Sequence, residues 1–200
     1  LPKIIPLHTV ENLLSTIYKE YSHAPTAYQK KRALLDIAVL ETLFSTGMRI
    51  SELCNLKISD VELYDATIRI YGKGAKERMI QIGNEDVLLI LEKYETEYSS
   101  EINKSGYFFV NPNATQLSDQ AIRRMIKKYC SLAYIDLHIT PHMFRHTFAT
   151  SLLEADVDIR YIQEMLGHSS ITVTEIYTHV ALSKQKDILT TKHPRQNFKL

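Results

Sequence analysis

Three side chains that could do chemistry lie close together in the second half of the sequence. His142, Arg145 and His146 are spaced three and four residues apart, which puts them on one face of a helix. Two histidines at this spacing could supply half of a zinc site. The helical metalloprotease pattern, however, needs a glutamate directly after the first histidine, and an arginine between the ligands would repel a cation. We therefore expect no metal site here.

Two further residues have ordinary structural explanations when each is taken alone. His168 directly follows Gly167, where it could interact with the negative end of a helix dipole. Tyr177 lies in an apolar-rich segment and could be a core residue. Neither residue by itself indicates a function.

Positive charge is concentrated in two short segments, although the whole chain carries a formal charge of only +1. Either segment could contact the phosphates of a nucleic acid or form a solvated face, and both interpretations stay open. The two segments comprise Lys73, Lys76 and Arg78, and Arg123, Arg124, Lys127 and Lys128.

Five ordered motifs resemble those of the tyrosine recombinase, or phage integrase, family and are closest to its Xer-type members. The resemblance covers nearly the whole chain, and each position of the family's active-site set has a matching residue. The motifs are TGMRISEL at 46–53, GKGAKER at 72–78, TPHMFRH at 140–146, LGH at 166–168 and IYTH at 176–179.

The resemblance implies an enzyme that cuts DNA and rejoins it through a covalent 3′-phosphotyrosyl intermediate. Tyr177 would be the nucleophile. Because an unperturbed tyrosine has a pKa of about 10, it needs help near neutral pH, and His142 would assist the proton transfer. Lys73, at the tip of a hairpin, would protonate the leaving 5′-hydroxyl. No metal, ATP or other cofactor is expected.

Phosphoryl transfer builds negative charge on the non-bridging oxygens, so fixed positive donors belong at the phosphate. By the same resemblance, Arg49, Arg145 and His168 would be these donors, since guanidinium groups stay ionised and match phosphate oxygens with paired donors. Glu52, one helical turn from Arg49, would hold its guanidinium in place. Contacts to backbone phosphates are expected from Lys76, Arg78, Arg123, Arg124 and Lys127.

The elements that must position these residues are helices and one hairpin. Apolar residues at helical spacing predict a helix from about Lys31 to Ser45, which Gly47 would end just before Arg49. Isoleucines alternate with polar residues on both sides of the 72–76 turn, which predicts a β-hairpin. Thr140 and Pro141 form a strong helix start.

The other patterns predict further helices and one short strand. Thr9 is expected to cap the first helix, Asn84 and Ser118 to cap later ones, and Tyr107–Val110 to form a strand. The predicted fold class is therefore mainly α with a small antiparallel β-sheet, the tyrosine recombinase catalytic-domain fold.

We expect residues 1–182 to form the catalytic domain and 183–200 a polar tail that docks on a neighbouring protomer. The family's helical core-binding domain would precede this chain and is missing from it. Hydrophobic residues make up 44% of the chain, without a run long enough to span a membrane, and the two cysteines suit buried reduced thiols. The expected partners are double-stranded DNA at a specific recombination site and three further copies in a tetramer, in the cytoplasm.

Two other functions compete with this interpretation. Residues 159–180 also resemble a helix-turn-helix, which would suit a non-catalytic DNA-binding module. Such a module gives no reason for Arg49, Lys73 and Arg145 to occur in the recombinase order. A type IB topoisomerase would use similar chemistry, but the overall match to it is poorer.

Overall fold

The computed structural model describes residues 3–72, 77–167 and 178–200 and shows a mainly helical fold with one small antiparallel sheet, which confirms the predicted fold class. The helices of these ranges are α1 (Leu7–Ser22), α2 (Ala27–Thr46), α3 (Ile50–Asn55), α4 (Glu85–Glu97), α5 (Ser99–Ser105), α6 (Asp119–Leu132), α7 (Pro141–Glu154), α8 (Ile159–Leu166) and α9 (Thr178–Thr191). The strands are β1 (Val61–Glu62), β2 (Thr67–Tyr71) and β3 (Glu77–Gln81).

Helix α2 lies at the centre of the core. Every residue from 33 to 46 is buried, and α1, α4 and α7 pack against it. In a helix buried on all sides, charged side chains need partners, because an unpaired buried charge is costly. Accordingly, the Tyr129 hydroxyl donates to Asp36 at 2.7 Å and the Tyr18 hydroxyl donates to Glu41 at 2.8 Å.

A left-handed glycine ends α2 and turns the chain towards Arg49. Gly47 has a φ of +63°, and its amide donates to the carbonyl of Leu43. A Cβ at this position would lie 2.6 Å from a ring carbon of Phe148 on α7, so both the backbone and the packing require glycine. Arg49 follows as the N-cap of α3. The predicted helix end is confirmed.

The predicted hairpin is also present. Strands β2 and β3 pair antiparallel, with Ile68 opposite Ile80 and Ile70 opposite Arg78, and β1 adds to the other edge of β2. The three isoleucines are buried in the core. The turn that carries Lys73 and Lys76 lies outside the described residues.

The predicted start of the first helix was wrong. Helix α1 begins at Leu7, directly after Pro6, rather than after a Thr9 cap. The carbonyl of Pro6 accepts hydrogen bonds from the amides of Thr9 and Val10 at 2.8 and 3.1 Å. Thr9 therefore lies within the first turn, where its own amide is already bonded.

The strand predicted at Tyr107–Val110 forms only isolated bridges, from Tyr107 to Lys57 and from Val110 to Gln116. The backbone of this segment is hydrogen-bonded by the buried hydroxyl of a tyrosine instead of by a neighbouring strand. The hydroxyl of Tyr94 on α4 donates to the Phe108 carbonyl at 2.9 Å and accepts from the Val110 amide at 3.1 Å. The segment is therefore buried and hydrogen-bonded without being a regular strand.

The described part of the C-terminal tail lies on its own domain. Helix α9 covers the open edge of β3, where the side-chain oxygen of Gln185 accepts from the amide of Gln81 at 2.6 Å. Gly83 permits this approach, since a Cβ there would lie 2.5 Å from the Cβ of Leu189. The docking of residues 183–200 on a neighbouring protomer stays a prediction.

A buried ion pair fixes the end of this tail. The guanidinium of Arg195 and the carboxylate of Glu41 are 2% and 0% exposed and lie 2.9 Å apart. Next to them, His193 bonds the carbonyl of Phe44 at 3.1 Å, and burial lowers the pKa of its imidazole to about 4. Sequence inspection could not foresee this contact, because the two charges are separated by 154 positions.

Arg195→Met should lower the free energy of unfolding by about 3–5 kcal/mol, because it leaves Glu41 as an unpaired buried charge. The double variant Glu41→Leu/Arg195→Met should recover most of the loss, since it removes both charges. Urea denaturation measures both effects. Arg160→Met, which breaks the exposed pair with Asp158, is the control and should leave the midpoint unchanged. A double variant no more stable than Arg195→Met would contradict the prediction.

Candidate active site

Arg49 lies at the start of α3 with its side chain partly open to solvent. Its backbone amide donates to Oε2 of Glu52 at 2.7 Å, and its Nη1 donates to Oε1 of the same carboxylate at 3.0 Å. The side chain of Arg49 is 38% exposed, whereas that of Glu52 is 5% exposed. One edge of the guanidinium is thus held by the protein while part of it stays accessible to a ligand.

Glu52 is shared between two arginines. Besides Arg49, it binds Arg78, whose Nη1 and Nη2 donate to its two carboxylate oxygens at 2.9 and 2.8 Å. Burial by itself would raise the pKa of Glu52, but the hydrogen bonds and the charge of Arg78, together with the hydrogen bonds of Arg49, outweigh it, so that the pKa lies below its usual value. The predicted contact between Glu52 and Arg49 is present, and Glu52 is a carboxylate at neutral pH.

Arg78 turns inward from β3. Its Nε donates to the Met165 carbonyl at 2.8 Å, and its side chain is only 9% exposed. A Cβ on Gly167, which ends α8 with a φ of +70°, would lie 3.0 Å from Arg78. The sequence prediction that Arg78 contacts DNA phosphates is therefore not favoured by its placement, because its donors are directed at the protein.

A sequence signal for this orientation was available. Alternate residues of a strand share a face, and Arg78 is two residues before the buried Ile80. The strand period thus places Arg78 on the inner face of the hairpin. The prediction of a DNA contact followed from the charge of Arg78 and its place beside the turn, and it did not take this period into account.

Arg145 is buried on α7 and reaches the ends of two other helices. Its Nη1 donates to the carbonyl of Gly47 at 2.9 Å, and its Nη2 donates to that of Leu166 at 2.6 Å. Carbonyls at helix ends lack intrahelical partners and carry the negative end of the dipole, so they suit a guanidinium. These bonds fix the plane of the Arg145 guanidinium between α2 and α8.

The cluster of Arg49, Glu52, Arg78 and Arg145 carries three positive charges against one negative charge. Burial is the main cause that lowers the pKa of Arg145 to about 10, the charges of Arg49 and Arg78 act in the same direction, and Glu52 opposes them. The guanidinium remains protonated at neutral pH. An anion that enters this site would relieve the repulsion, and a phosphate matches the paired donors of arginine.

The remaining residues predicted for catalysis divide between described and undescribed parts of the chain. His142 is exposed in the first turn of α7, one turn before Arg145. Pro141 begins this helix as predicted, although the Thr140 side chain makes no capping bond. Lys73, His168 and Tyr177 lie outside the described residues. The structure therefore brings together Arg49, Glu52 and Arg145 and places His142 on the same helix as Arg145.

The basic residues of α6 face solvent. Arg123, Arg124 and Lys127 are all exposed, and Arg123 pairs with Asp119 one turn earlier.

The two cysteines are buried and free, as predicted. Among the residues that the structure describes, no helix is long and apolar enough to cross a membrane, and no three His, Cys, Asp or Glu side chains are grouped so that they could hold a metal ion.

Proteins with similar sequences are recombinases. A tyrosine recombinase of Agathobacter rectalis is 68% identical over 198 residues, which are 99% of this chain and 65% of the relative. Tyrosine recombinase XerD of Listeria monocytogenes is 39% identical over 199 residues, which are 98% of this chain and 64% of the relative. The chain thus spans slightly less than two thirds of the length of these relatives.

Solved structures show the same fold. XerA recombinase superposes on the whole chain with a TM-score of 0.72 at 30% identity, and the match covers 66% of that protein. The XerH site-specific recombinase bound to difH substrate superposes on 98% of this chain, again with a TM-score of 0.72, at 25% identity and with 52% of that protein covered. A model of the phage integrase family matches residues 8–184. The chain belongs to the phage integrase family.

Proposed function

We propose that this chain is the catalytic domain of a site-specific tyrosine recombinase, which cleaves and rejoins DNA through a covalent 3′-phosphotyrosyl bond at Tyr177. The observation that carries the proposal is the arginine cluster. Arg49 and Arg145 are held by protein acceptors close enough for their charges to interact, and Arg49 stays open to solvent. Two fixed guanidiniums at one site suit a phosphodiester whose charge grows in the transition state.

In the proposed reaction the hydroxyl oxygen of Tyr177 attacks the scissile phosphorus and the bond to the 5′-oxygen breaks. His142 assists removal of the tyrosine proton, and Lys73 gives a proton to the leaving 5′-oxygen. Arg49, Arg145 and His168 hold the non-bridging oxygens. His168 follows Gly167 in the sequence, and Gly167 lies against Arg78 of the cluster, which supports a place for it at the same phosphate.

The rejoining step needs no external energy. The phosphotyrosyl bond conserves the energy of the broken phosphodiester, so the 5′-hydroxyl of a second strand can attack it without ATP. The positive charge that a metal would supply comes from the two guanidiniums. We therefore propose a reaction without cofactors.

Exposed basic residues on α6 support a role on duplex DNA. Arg124 and Lys127 are exposed on α6, next to Arg123, and with Lys76 we propose them as contacts to backbone phosphates. Such contacts position a duplex but do not read its sequence. The specific recombination site would be read elsewhere on the protein.

We further propose that four copies assemble on DNA and that the tail from Ser183 leaves its own domain to dock on a neighbour. Its contacts in the structure, such as Gln185 on the edge of β3, could be made equally by the tail of another copy, and such head-to-tail exchange can close a ring. The relatives are longer than this chain, and we propose that the core-binding domain implied by the family resemblance lies upstream. The protein would act in the cytoplasm.

The two competing functions have less support. A helix-turn-helix module without catalysis gives no reason for Arg49, Glu52 and Arg145 to meet. A type IB topoisomerase would use such a cluster, yet the similar proteins described above carry recombinase names.

Tyr177→Phe should abolish covalent protein–DNA adducts, because only the nucleophilic oxygen is lost. The protein, at its natural length, is incubated with sheared genomic DNA of its source organism, denatured in detergent and examined for protein-linked DNA, whose sequence then identifies the site. DNA binding by the variant should be unchanged in a gel shift. Tyr134→Phe and Tyr161→Phe are controls and should form adducts normally. Adducts at normal yield with Tyr177→Phe would refute the assignment.

Lys73→Ala should slow single-turnover cleavage by about 10²–10⁴-fold, the usual loss for a general acid. A substrate with sulfur as the 5′-bridging atom should restore the rate, because a thiolate leaves without a proton. Lys76→Ala, on the same hairpin turn, serves as the matched control and should weaken binding without sulfur rescue. The substrate is a nicked duplex of the captured site, from which the short cleaved end diffuses away. Rescue of Lys76→Ala but not of Lys73→Ala would assign the acid to the other lysine.

A further inference from the structure

Arg78 joins three parts of the candidate site through one side chain. It extends from β3, binds both oxygens of Glu52 on α3 and bonds the carbonyl of Met165 in the last turn of α8. The residue opposite it in the hairpin is Ile70, which is buried. The guanidinium thus bonds the hairpin both to the start of α3 and to the end of α8.

The orientation of Arg49 depends on the same carboxylate. Oε1 of Glu52 accepts from Arg49 Nη1 and from Arg78 Nη1, while Oε2 accepts from the Arg49 amide and from Arg78 Nη2. A carboxylate has only one plane in which it can bind a guanidinium with both oxygens. Arg78 fixes that plane, and the plane fixes the direction from which Arg49 is held.

We propose that Arg78 is a positioning residue for DNA cleavage, which acts through Glu52 to hold Arg49 against the scissile phosphate. This inference rests on the proposed function. It assigns a role to Arg78 that differs from a contact with the DNA backbone. Arg78 also links the hairpin on which Lys73 lies in the sequence to the helix end that precedes His168, because it extends from β3 and bonds Met165 of α8.

The bonding of Arg78 to both oxygens of the Glu52 carboxylate argues against a direct phosphate contact. A guanidinium has five N–H donors, and three donor atoms of Arg78 are already bonded to the protein, with 9% of the side chain exposed. Its two remaining N–H groups lie on a side chain that is largely shielded from solvent, so a phosphate has little access to them. Lysine could not replace it, because an ammonium group cannot span both carboxylate oxygens and a carbonyl in fixed geometry.

The test compares Arg78→Met with Arg78→Lys and with a matched control, Arg69→Met. Arg69 is an arginine on the neighbouring strand β2 that is exposed to solvent. Three quantities are measured for each protein at its natural length: the thermal unfolding midpoint, the salt dependence of binding to the captured site, and the single-turnover cleavage rate at saturating protein.

Arg78→Met should cleave about 10²-fold more slowly, the loss typical of a reacting group displaced by about 1 Å, while its affinity and salt slope match those of the wild type. Arg78→Lys should cleave at a rate between those of Arg78→Met and the wild type. Arg69→Met should cleave at the wild-type rate. If Arg78 bound a phosphate instead, the salt slope would fall by about 0.9 and cleavage at saturating protein would be unchanged. That result would overturn the inference.

A double-mutant cycle separates positioning from general damage to the fold. Glu52→Gln should slow cleavage, and Glu52→Gln/Arg78→Met should be no slower than the slower single variant, because both act through one contact. Losses that multiply would overturn the inference. If Arg78→Met does not unfold cooperatively, the cycle is run with Arg78→Lys. A double variant no slower than the slower single variant again supports the inference, and losses that multiply overturn it. Wild-type adducts with unimpaired Arg78 variants would refute this inference alone, whereas absence of wild-type adducts would refute the proposed function as well.

Discussion

The ionised carboxylate of Glu52 is the constraint on which the candidate site depends. Three guanidiniums that interact electrostatically would repel one another strongly in a partly buried place, and one shared carboxylate offsets part of that repulsion. It does so with both oxygens, each of which accepts two hydrogen bonds. Positive charge remains to bind an anion from outside, and in the proposed reaction this anion is the phosphodiester.

The surrounding fold serves to keep these few groups in place. The central helix α2 ends at a glycine that Phe148 of α7 packs against, and the carbonyl of that glycine receives Arg145 from the same α7. The end of α8 contributes two carbonyls, from Met165 and Leu166, to two different arginines. The site is therefore assembled from helix ends and one strand, so that small shifts between these elements would alter the direction of the donors. The anchored tail stabilises the same core through Glu41 of α2.

Local chemistry made much of this fold predictable from the sequence. Gly47 and Pro141 mark helix ends by their own backbone preferences, and the isoleucines around the 72–76 turn identify the hairpin by their period. Arg49, Glu52 and Arg145 could be assigned because their motifs resemble a known family. The features that the sequence did not predict depend on contacts between residues far apart in the chain. The Tyr94 hydroxyl that bonds Phe108 and Val110, and the pairing of Arg195 with Glu41, have no local signal. The inward direction of Arg78 did have one, in the strand period.

The central claim is that the arginine cluster exists to neutralise the charge of a scissile phosphate. It is tested most directly with a methylphosphonate substrate, in which one charged non-bridging oxygen is replaced by a methyl group. Arg49→Ala should cleave the ordinary phosphodiester far more slowly than wild type, because charge in the transition state loses its partner. On the methylphosphonate the difference between variant and wild type should largely disappear, since there is little charge left to neutralise. An Arg49→Ala variant that is as impaired on the methylphosphonate as on the phosphodiester would contradict this account.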